Sequence, residues 1–168
     1  MSGNRAVVFD LDGTLVRDFQ DGEVRRGPRN VAELDIPVGT DEAMGKLADR
    51  FHLIVITNQP DFDRGLIISH VYTQLKFSLI DRWNLTRFLV CPHQGDWCEC
   101  RKPRAGLFFT AAILENLTLS RCWSIGDRET DREAAIRAGI PQTKAISIPT
   151  NQGIAKAVQH ILEHDHET

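Results

Sequence analysis

A chain of 168 residues and 18.9 kDa has room for about one domain of average size. With 42% hydrophobic and 26% charged residues it can bury about two-thirds of its unfolded surface, which excludes wholesale disorder. Twenty Lys and Arg against 23 Asp and Glu leave a net charge of −3, so no nucleic-acid-coating surface is expected and an anionic ligand must be held by local charge.

Ala6-Val7-Val8-Phe9 is a short apolar run that ends abruptly in Asp10-Leu11-Asp12-Gly13, the pattern of a buried strand feeding a loop. The stretch 16–40 is interrupted by Gly22, Gly27, Pro28, Pro37 and Gly39 and reads as a long loop. At about 25 residues it exceeds the usual connection, so it is either a functional flap or poorly ordered. Its Arg25, Arg26 and Arg29 suit phosphate contacts, or are solvated surface charge. Asp41 to Arg50 follows Thr40 as N-cap of a helix, and Leu53-Ile54-Val55-Ile56 is a second strand running into Thr57-Asn58-Gln59-Pro60. Ile68, Val71, Leu75 and Leu79 form one apolar stripe of a second helix, followed by a strand at Phe88-Leu89-Val90. A third helix starts at Pro103 and runs through Leu114, and Cys122 to Ile125 is a strand. Glu129 to Ala138 is a fourth helix, stopped by Gly139 with Pro141 beyond, then a strand at Ala145 to Ile148 and a last helix from about Thr150 to His160. The end, His164 to Thr168, is expected to fray.

Five apolar strands alternating with helices predict one domain over 1–168 with a three-layer α/β fold, Rossmann-like, around a parallel sheet of about five strands. Ligands then belong at the carboxyl ends of the strands. No apolar core of signal-peptide length precedes Asp10 and no window approaches the roughly 18 apolar residues of a membrane span. A cytoplasmic monomer without membrane or nucleic-acid partners is the expectation.

On this scaffold Asp10 and Asp12 follow the first strand, Thr57 and Asn58 the second, and Asp127 and Asp131 the fourth, all at one rim, with Lys102 returning to it from the neighbouring connection. Four carboxylates at one rim would repel one another unless a cation neutralised them, and oxygen-only ligands suit a hard divalent ion such as Mg²⁺. The set points to phosphoryl transfer to an aspartate. One carboxylate attacks phosphorus, and a second protonates the leaving oxygen and then deprotonates water. The i, i+2 spacing of Asp10 and Asp12 aims both side chains one way, and Lys102 and Thr57 are suited to stabilise charge on the phosphoryl oxygens.

Val8-Phe9-Asp10-Leu11-Asp12-Gly13-Thr14-Leu15 resembles the signature of the haloacid dehalogenase superfamily of phosphatases. Ile56-Thr57-Asn58-Gln59, Cys100-Arg101-Lys102-Pro103 and Ile125-Gly126-Asp127-Arg128-Glu129-Thr130-Asp131 resemble its second, third and fourth motifs, in the family order. Their forms narrow the resemblance to the heptose-bisphosphate and histidinol-phosphate phosphatases. That resemblance implies Asp10 as nucleophile and Mg²⁺ ligand, Asp12 as general acid/base that lends the ion its backbone carbonyl, and Asp127 as the other side-chain ligand, with Asp131 just behind. It also implies that Thr57 and Asn58 hold the phosphoryl group, that Lys102 bridges it to the nucleophile, and that Arg101 helps recognise substrate.

Cys91-Pro92-His93 and Cys98-Glu99-Cys100 give C-x-H-x4-C-x-C, a soft four-ligand set that suits tetrahedral Zn²⁺ in a closed, structural site. The same subgroup carries such a zinc loop just before its Arg-Lys-Pro. A redox disulfide or free thiols are the rival readings. Zinc over 91–100 would stiffen a loop with little core of its own and deliver Arg101 and Lys102. Trp97 would wall a sugar ring or fill the loop, and Cys122 reads as a buried small hydrophobe.

About 45 residues from Asp12 to Thr57, and as many from there to Lys102, leave no room for a cap domain, so specificity falls to the loops. Arg64-Gly65 after Thr-Asn-Gln resembles the heptose-bisphosphate members, which makes Arg64 a substrate-binding candidate. The implied substrate is D-glycero-D-manno-heptose 1,7-bisphosphate, cleaved at its 7-phosphate. Histidinol phosphate is the nearest alternative, followed by a nucleic-acid 3′-phosphate and by a non-catalytic zinc-stabilised binding module.

Overall fold

Ala6, Val7, Val8 and Phe9 are all buried because the strand they form lies at the centre of a sheet covered on both faces. In the computed structural model, which describes residues 3–95 and 97–165, the elements are β1 (Ala6–Phe9), β2 (Phe19–Asp21), β3 (Val24–Arg26), α1 (Thr40–Ala48), β4 (His52–Asn58), α2 (Ser69–Trp83), β5 (Arg87–Cys91), α3 (Gly106–Glu115), β6 (Trp123–Gly126), α4 (Glu129–Ala138), β7 (Ala145–Ser147) and α5 (Ala155–His164). Five of the strands form one parallel sheet in the order β5-β4-β1-β6-β7, as the alternation of apolar runs and helices predicts.

The two-residue period of the strands sorts the core into two layers. Val7, Phe9, Leu53, Val55 and Ile125 face α1, α2 and α5 through Leu47, Leu75, Leu79, Val158 and Ile161. Ala6, Val8, Ile54 and Ile56 face α3 and α4 through Leu107, Phe108 and a row of alanines, Ala111, Ala134, Ala135 and Ala138. The first layer is thick with large side chains and the second is thin. β1 leaves the sheet toward the thick layer and its neighbour β6 toward the thin one, so their connections diverge and open a crevice at their carboxyl ends.

Several boundaries differ from the sequence reading. The 16–40 stretch is not an unbroken loop: β2 and β3 pair as an antiparallel hairpin, with Gly22 at φ +62° in its two-residue turn, and a 3-10 turn follows at Val31–Glu33. Gly39, not Thr40, caps α1, and the buried Thr40 hydroxyl makes no hydrogen bond. The buried face of α2 is Tyr72, Leu75, Leu79 and Trp83, while Ile68 lies before the helix and is 61% exposed. Stepping back three residues from Leu75 reaches Tyr72, whose ring packs edge-on to Phe62 at 5.1 Å. Burying Leu75 and Leu79 contributes about 2 kcal/mol each and sets which face turns inward. Helix α3 starts at Gly106 rather than Pro103, because 101–104 make a turn, Arg104 N donating to Arg101 O at 2.8 Å, that brings Lys102 back to the sheet. Helix α5 starts at Ala155, since Thr150 and Asn151 are occupied by contacts with Asp127 and Gly13.

The expected fraying does not begin at 164: α5 runs through His164, and the buried Asp165 accepts from Arg5 Nη1 (2.8 Å), Arg50 Nη2 (2.9 Å) and Trp123 Nε1 (3.3 Å). Residues 166–168 of that expectation lie outside the described residues. Between β1 and β4 the chain holds only the hairpin, the 3-10 turn and α1, so no cap covers the sheet. Among the described residues no helix is long and apolar enough to cross a membrane.

Candidate active site

The reacting end of β1 is built by a tight turn. Asp10 N continues the ladder to Ile125 O at 3.0 Å, and Leu15 N and Val16 N then fold back on Leu11 O. Leu11 is fully buried, so the carboxyls on either side of it, Asp10 and Asp12, turn to the cleft. Burial pushes Asp10 up to about 8, with Asp131 and Asp12 adding to the shift and Lys102 opposing it. Burial also pushes Asp12 up to about 7, against a hydrogen bond from Gln59. On Lys102, burial disfavours the charge, but Asp10 and Asp131 more than offset it and raise the group above the ordinary lysine value.

Lys102 is 5% exposed, and its Nζ touches Asp10 Oδ1, lies 2.6 Å from Asp131 Oδ1 and donates to Ile56 O at 2.9 Å. Asn58 fixes the backbone that carries it: its Nδ2 donates to Lys102 O and its Oδ1 accepts from Lys102 N, both at 3.1 Å. The Asn58 side chain is thus used to place the lysine rather than left open for a phosphoryl group. Thr57 is buried at the end of β4 and accepts from Gln59 Nε2 at 3.0 Å.

Asp10, Asp127 and Asp131 each offer an oxygen within 4.8 Å of the others, and all are hard donors. With only Lys102 against Asp10 and Asp131, and Arg25 against Asp127, this trio suits a divalent cation in both donor type and charge. The Asp12 carboxylate stands outside it. Asp131 also accepts from Arg128 N at 3.0 Å, which binds the first turn of α4 to the site. Asp127 accepts from Thr150 Oγ1 (2.7 Å) and from Arg25 Nη2 of the hairpin (3.0 Å).

The cleft above these groups is lined by arginines, among them Arg25, Arg64, Arg101 and Arg128. Arg64 Nη1 donates to Asp61 Oδ1 at 3.1 Å, and the other oxygen of Asp61 takes Arg29 at 2.6 Å. Arg101 Nη1 donates to His93 O at 2.9 Å. Of the three hairpin-region arginines expected to meet phosphate, Arg25 binds Asp18 and Asp127, Arg26 binds Glu33, and Arg29 binds Asp61.

Across the cleft, Cys91, His93, Cys98 and Cys100 converge within 4.8 Å. Cys91 Sγ lies 3.3 to 3.7 Å from the ligand atoms of His93, Cys98 and Cys100, His93 Nδ1 lies 3.2 Å from Cys100 Sγ, and the cysteines are free. Zn–S bonds of about 2.3 Å at tetrahedral angles space ligand atoms about 3.5 to 3.8 Å, so this set fits zinc in geometry and softness. Trp97 is 72% exposed, and its ring meets the His93 ring at 4.4 Å, so it does not fill the interior of the loop.

Sequence reasoning passed over three groups at this site: Gln59, Asp61 and Arg128. The i, i+2 argument that pairs Asp10 with Asp12 also pairs Gln59 with Thr57 and could have found it. No such signal marks Asp61, whose partner Arg29 is 32 residues away.

The chain matches the HAD-hydrolase-like family model over residues 99–160. It is 32% identical over 158 residues to a D-glycero-β-D-manno-heptose-1,7-bisphosphate 7-phosphatase of Haemophilus ducreyi, covering 86% of this chain and 83% of that one. A protein of the same name from Yersinia pestis is 30% identical, covering 80% and 76%. Among solved structures, a D,D-heptose 1,7-bisphosphate phosphatase from B. bronchiseptica, complexed with magnesium and phosphate, superimposes with a TM-score of 0.74 at 20% identity, covering 94% of this chain and 98% of that one.

Proposed function

This chain belongs to the haloacid dehalogenase-like phosphatases, in the family of the D-glycero-β-D-manno-heptose-1,7-bisphosphate 7-phosphatases, and from that membership we propose that it removes the 7-phosphate of that sugar. The observation that carries the reading is the placement of Asp10 and Asp12 side by side at the β1/β6 crevice, with Lys102 Nζ between Asp10 and Asp131.

Asp10 attacks phosphorus as the bond to the sugar oxygen breaks, and Asp12 gives that oxygen its proton. Asp12 then takes a proton from water, which attacks the aspartyl-phosphate and returns Asp10. Lys102 and Thr57 balance charge on the transferring oxygens, and Asn58 holds Lys102 in place. Arg64 and Arg101 on the rim receive the rest of the substrate. Asp10, Asp127 and the Asp12 carbonyl would hold Mg²⁺, with Asp131 beside them, and the ion would supply charge neutralisation at the phosphoryl group. Cys91, His93, Cys98 and Cys100 would hold structural zinc. The working unit we propose is one domain acting as a monomer.

Phosphate release measured on both anomers of heptose bisphosphate, on histidinol phosphate and on a 3′-phosphorylated oligonucleotide tests this. The heptose should turn over fastest, and Asp10→Asn should remove at least about a thousandfold of the rate. Absence of Mg²⁺-dependent turnover on every phosphoester would sink the enzyme reading, and preference for histidinol phosphate would sink the substrate.

A further inference from the structure

Gln59 has no part in these steps, yet its side chain is 4% exposed and lies between two groups that do. Its Nε2 donates to Asp12 Oδ2 at 2.6 Å and to Thr57 Oγ1 at 3.0 Å. The NH₂ end of the amide meets both groups, so Asp12 Oδ2 and Thr57 Oγ1 each accept from it. The second hydrogen of that NH₂, anchored on Thr57, fixes the rotation of the amide. Gln59 N also donates to Cys91 O at 2.8 Å, so the side chain projects from backbone bonded to the sheet.

One oxygen of Asp12 is therefore occupied, and the other, Oδ1, is buried with no hydrogen-bond partner. Gly27, at the end of the hairpin, closes over this edge: a Cβ there would stand 2.1 Å from Oδ1, so only glycine can wall it. Asp12 and Gly27 both line the cleft.

We propose that Gln59 is a positioning residue that fixes the rotation of the Asp12 carboxyl for proton transfer to the leaving oxygen of the substrate. The inference rests on the phosphatase reading, since the orientation matters only when Asp12 serves a leaving group. As the Asp10–phosphorus bond forms and the bond to the sugar oxygen breaks, the proton passes from the Asp12 carboxyl to that oxygen. A sugar alkoxide needs this proton to leave, whereas p-nitrophenolate leaves without it.

The test is kcat/KM of the zinc- and Mg²⁺-loaded protein on heptose bisphosphate and on p-nitrophenyl phosphate, for wild type, Gln59→Ala, Gln59→Met, Asp12→Asn and the double variant Asp12→Asn/Gln59→Ala. Gln59→Met keeps length and burial without the donor, which separates the hydrogen bond from packing. Both Gln59 variants should lose about 100-fold on the sugar phosphate and no more than about 5-fold on the aryl phosphate. In the Asp12→Asn background the Gln59 change should add little on the sugar. Equal losses on the two substrates, or full additivity with Asp12→Asn, overturn the proposal and leave the phosphatase reading standing. No turnover by the wild type on either substrate overturns both.

Discussion

The cleft has two walls of unlike construction. The β2–β3 hairpin has three residues per strand and almost no core, and it is held by Arg25 on Asp18 and Asp127, Arg26 on Glu33, and the following Arg29 on Asp61. The other wall includes Arg101 and Lys102, and the 91–100 loop that leads into them has little more core, but its Cys and His side chains converge on one point. Partly exposed ion pairs contribute about 0 to 1 kcal/mol each and weaken with salt, whereas a closed zinc site contributes about 10 kcal/mol or more. The exchangeable contacts thus stand where ions and substrate come and go. The Cys and His cluster, suited to a permanent ion, stands just before Arg101 and Lys102.

The largest expected effect falls on the wall for which we propose zinc. Cys98→Ser should leave the protein nearly free of zinc by elemental analysis and lower kcat at least about tenfold through misplaced Arg101 and Lys102. A variant with full zinc and full rate would erase the difference between the walls.

Next comes the pH dependence of Mg²⁺ binding between them. Asp10 and Asp12 are raised from 3.8 to about 8 and about 7, so over that window the native state holds more protons than the unfolded one. Their contribution to stability is full below the unfolded value and is lost as pH rises through about 7 to 8. A divalent ion favours the ionised carboxylates, so the rise in Tm caused by Mg²⁺ should be larger at about pH 8.5 than at about pH 6. A larger rise at the acid end would show that the Asp10 carboxyl does not hold the ion.

Arg25→Ala probes the charge-held wall. With no guanidinium to displace from Asp127, Mg²⁺ should bind up to about 5-fold more tightly by calorimetric titration, the span of one exposed ion pair. Weaker binding would mean that Arg25 supports the site. Smallest of all, raising salt from about 0.05 to about 0.5 M should speed amide exchange in 19–26 and leave 91–100 unchanged.

The sheet was legible because each of its strands is an apolar run with few alternatives, and the Cys and His cluster because its spacing is local. The hairpin was not, since Phe19-Gln20-Asp21 and Val24-Arg25-Arg26 show no period and are tied down by acids up to 102 residues away. For the same reason Arg25, Arg26 and Arg29 read as phosphate contacts or solvated surface charge, while the fold pairs them with carboxylates. Thr57 and Lys102 could be placed from strand ends alone. That the Asn58 side chain would grip the Lys102 backbone depends on a turn, 101–104, which the sequence reading took for the start of a helix.

The thin core layer bears on how this protein can change over generations. Ala134, Ala135 and Ala138 let α4 lie close on the sheet, and α4 carries Asp131 in its first turn. A methylene added among the leucines of α1 or α2 can be absorbed by repacking, but one added at Ala135 must lift α4 and draw Asp131 away from Lys102. Tolerated variation should therefore collect under the thick layer, while the alanine face stays as restricted as the active site itself.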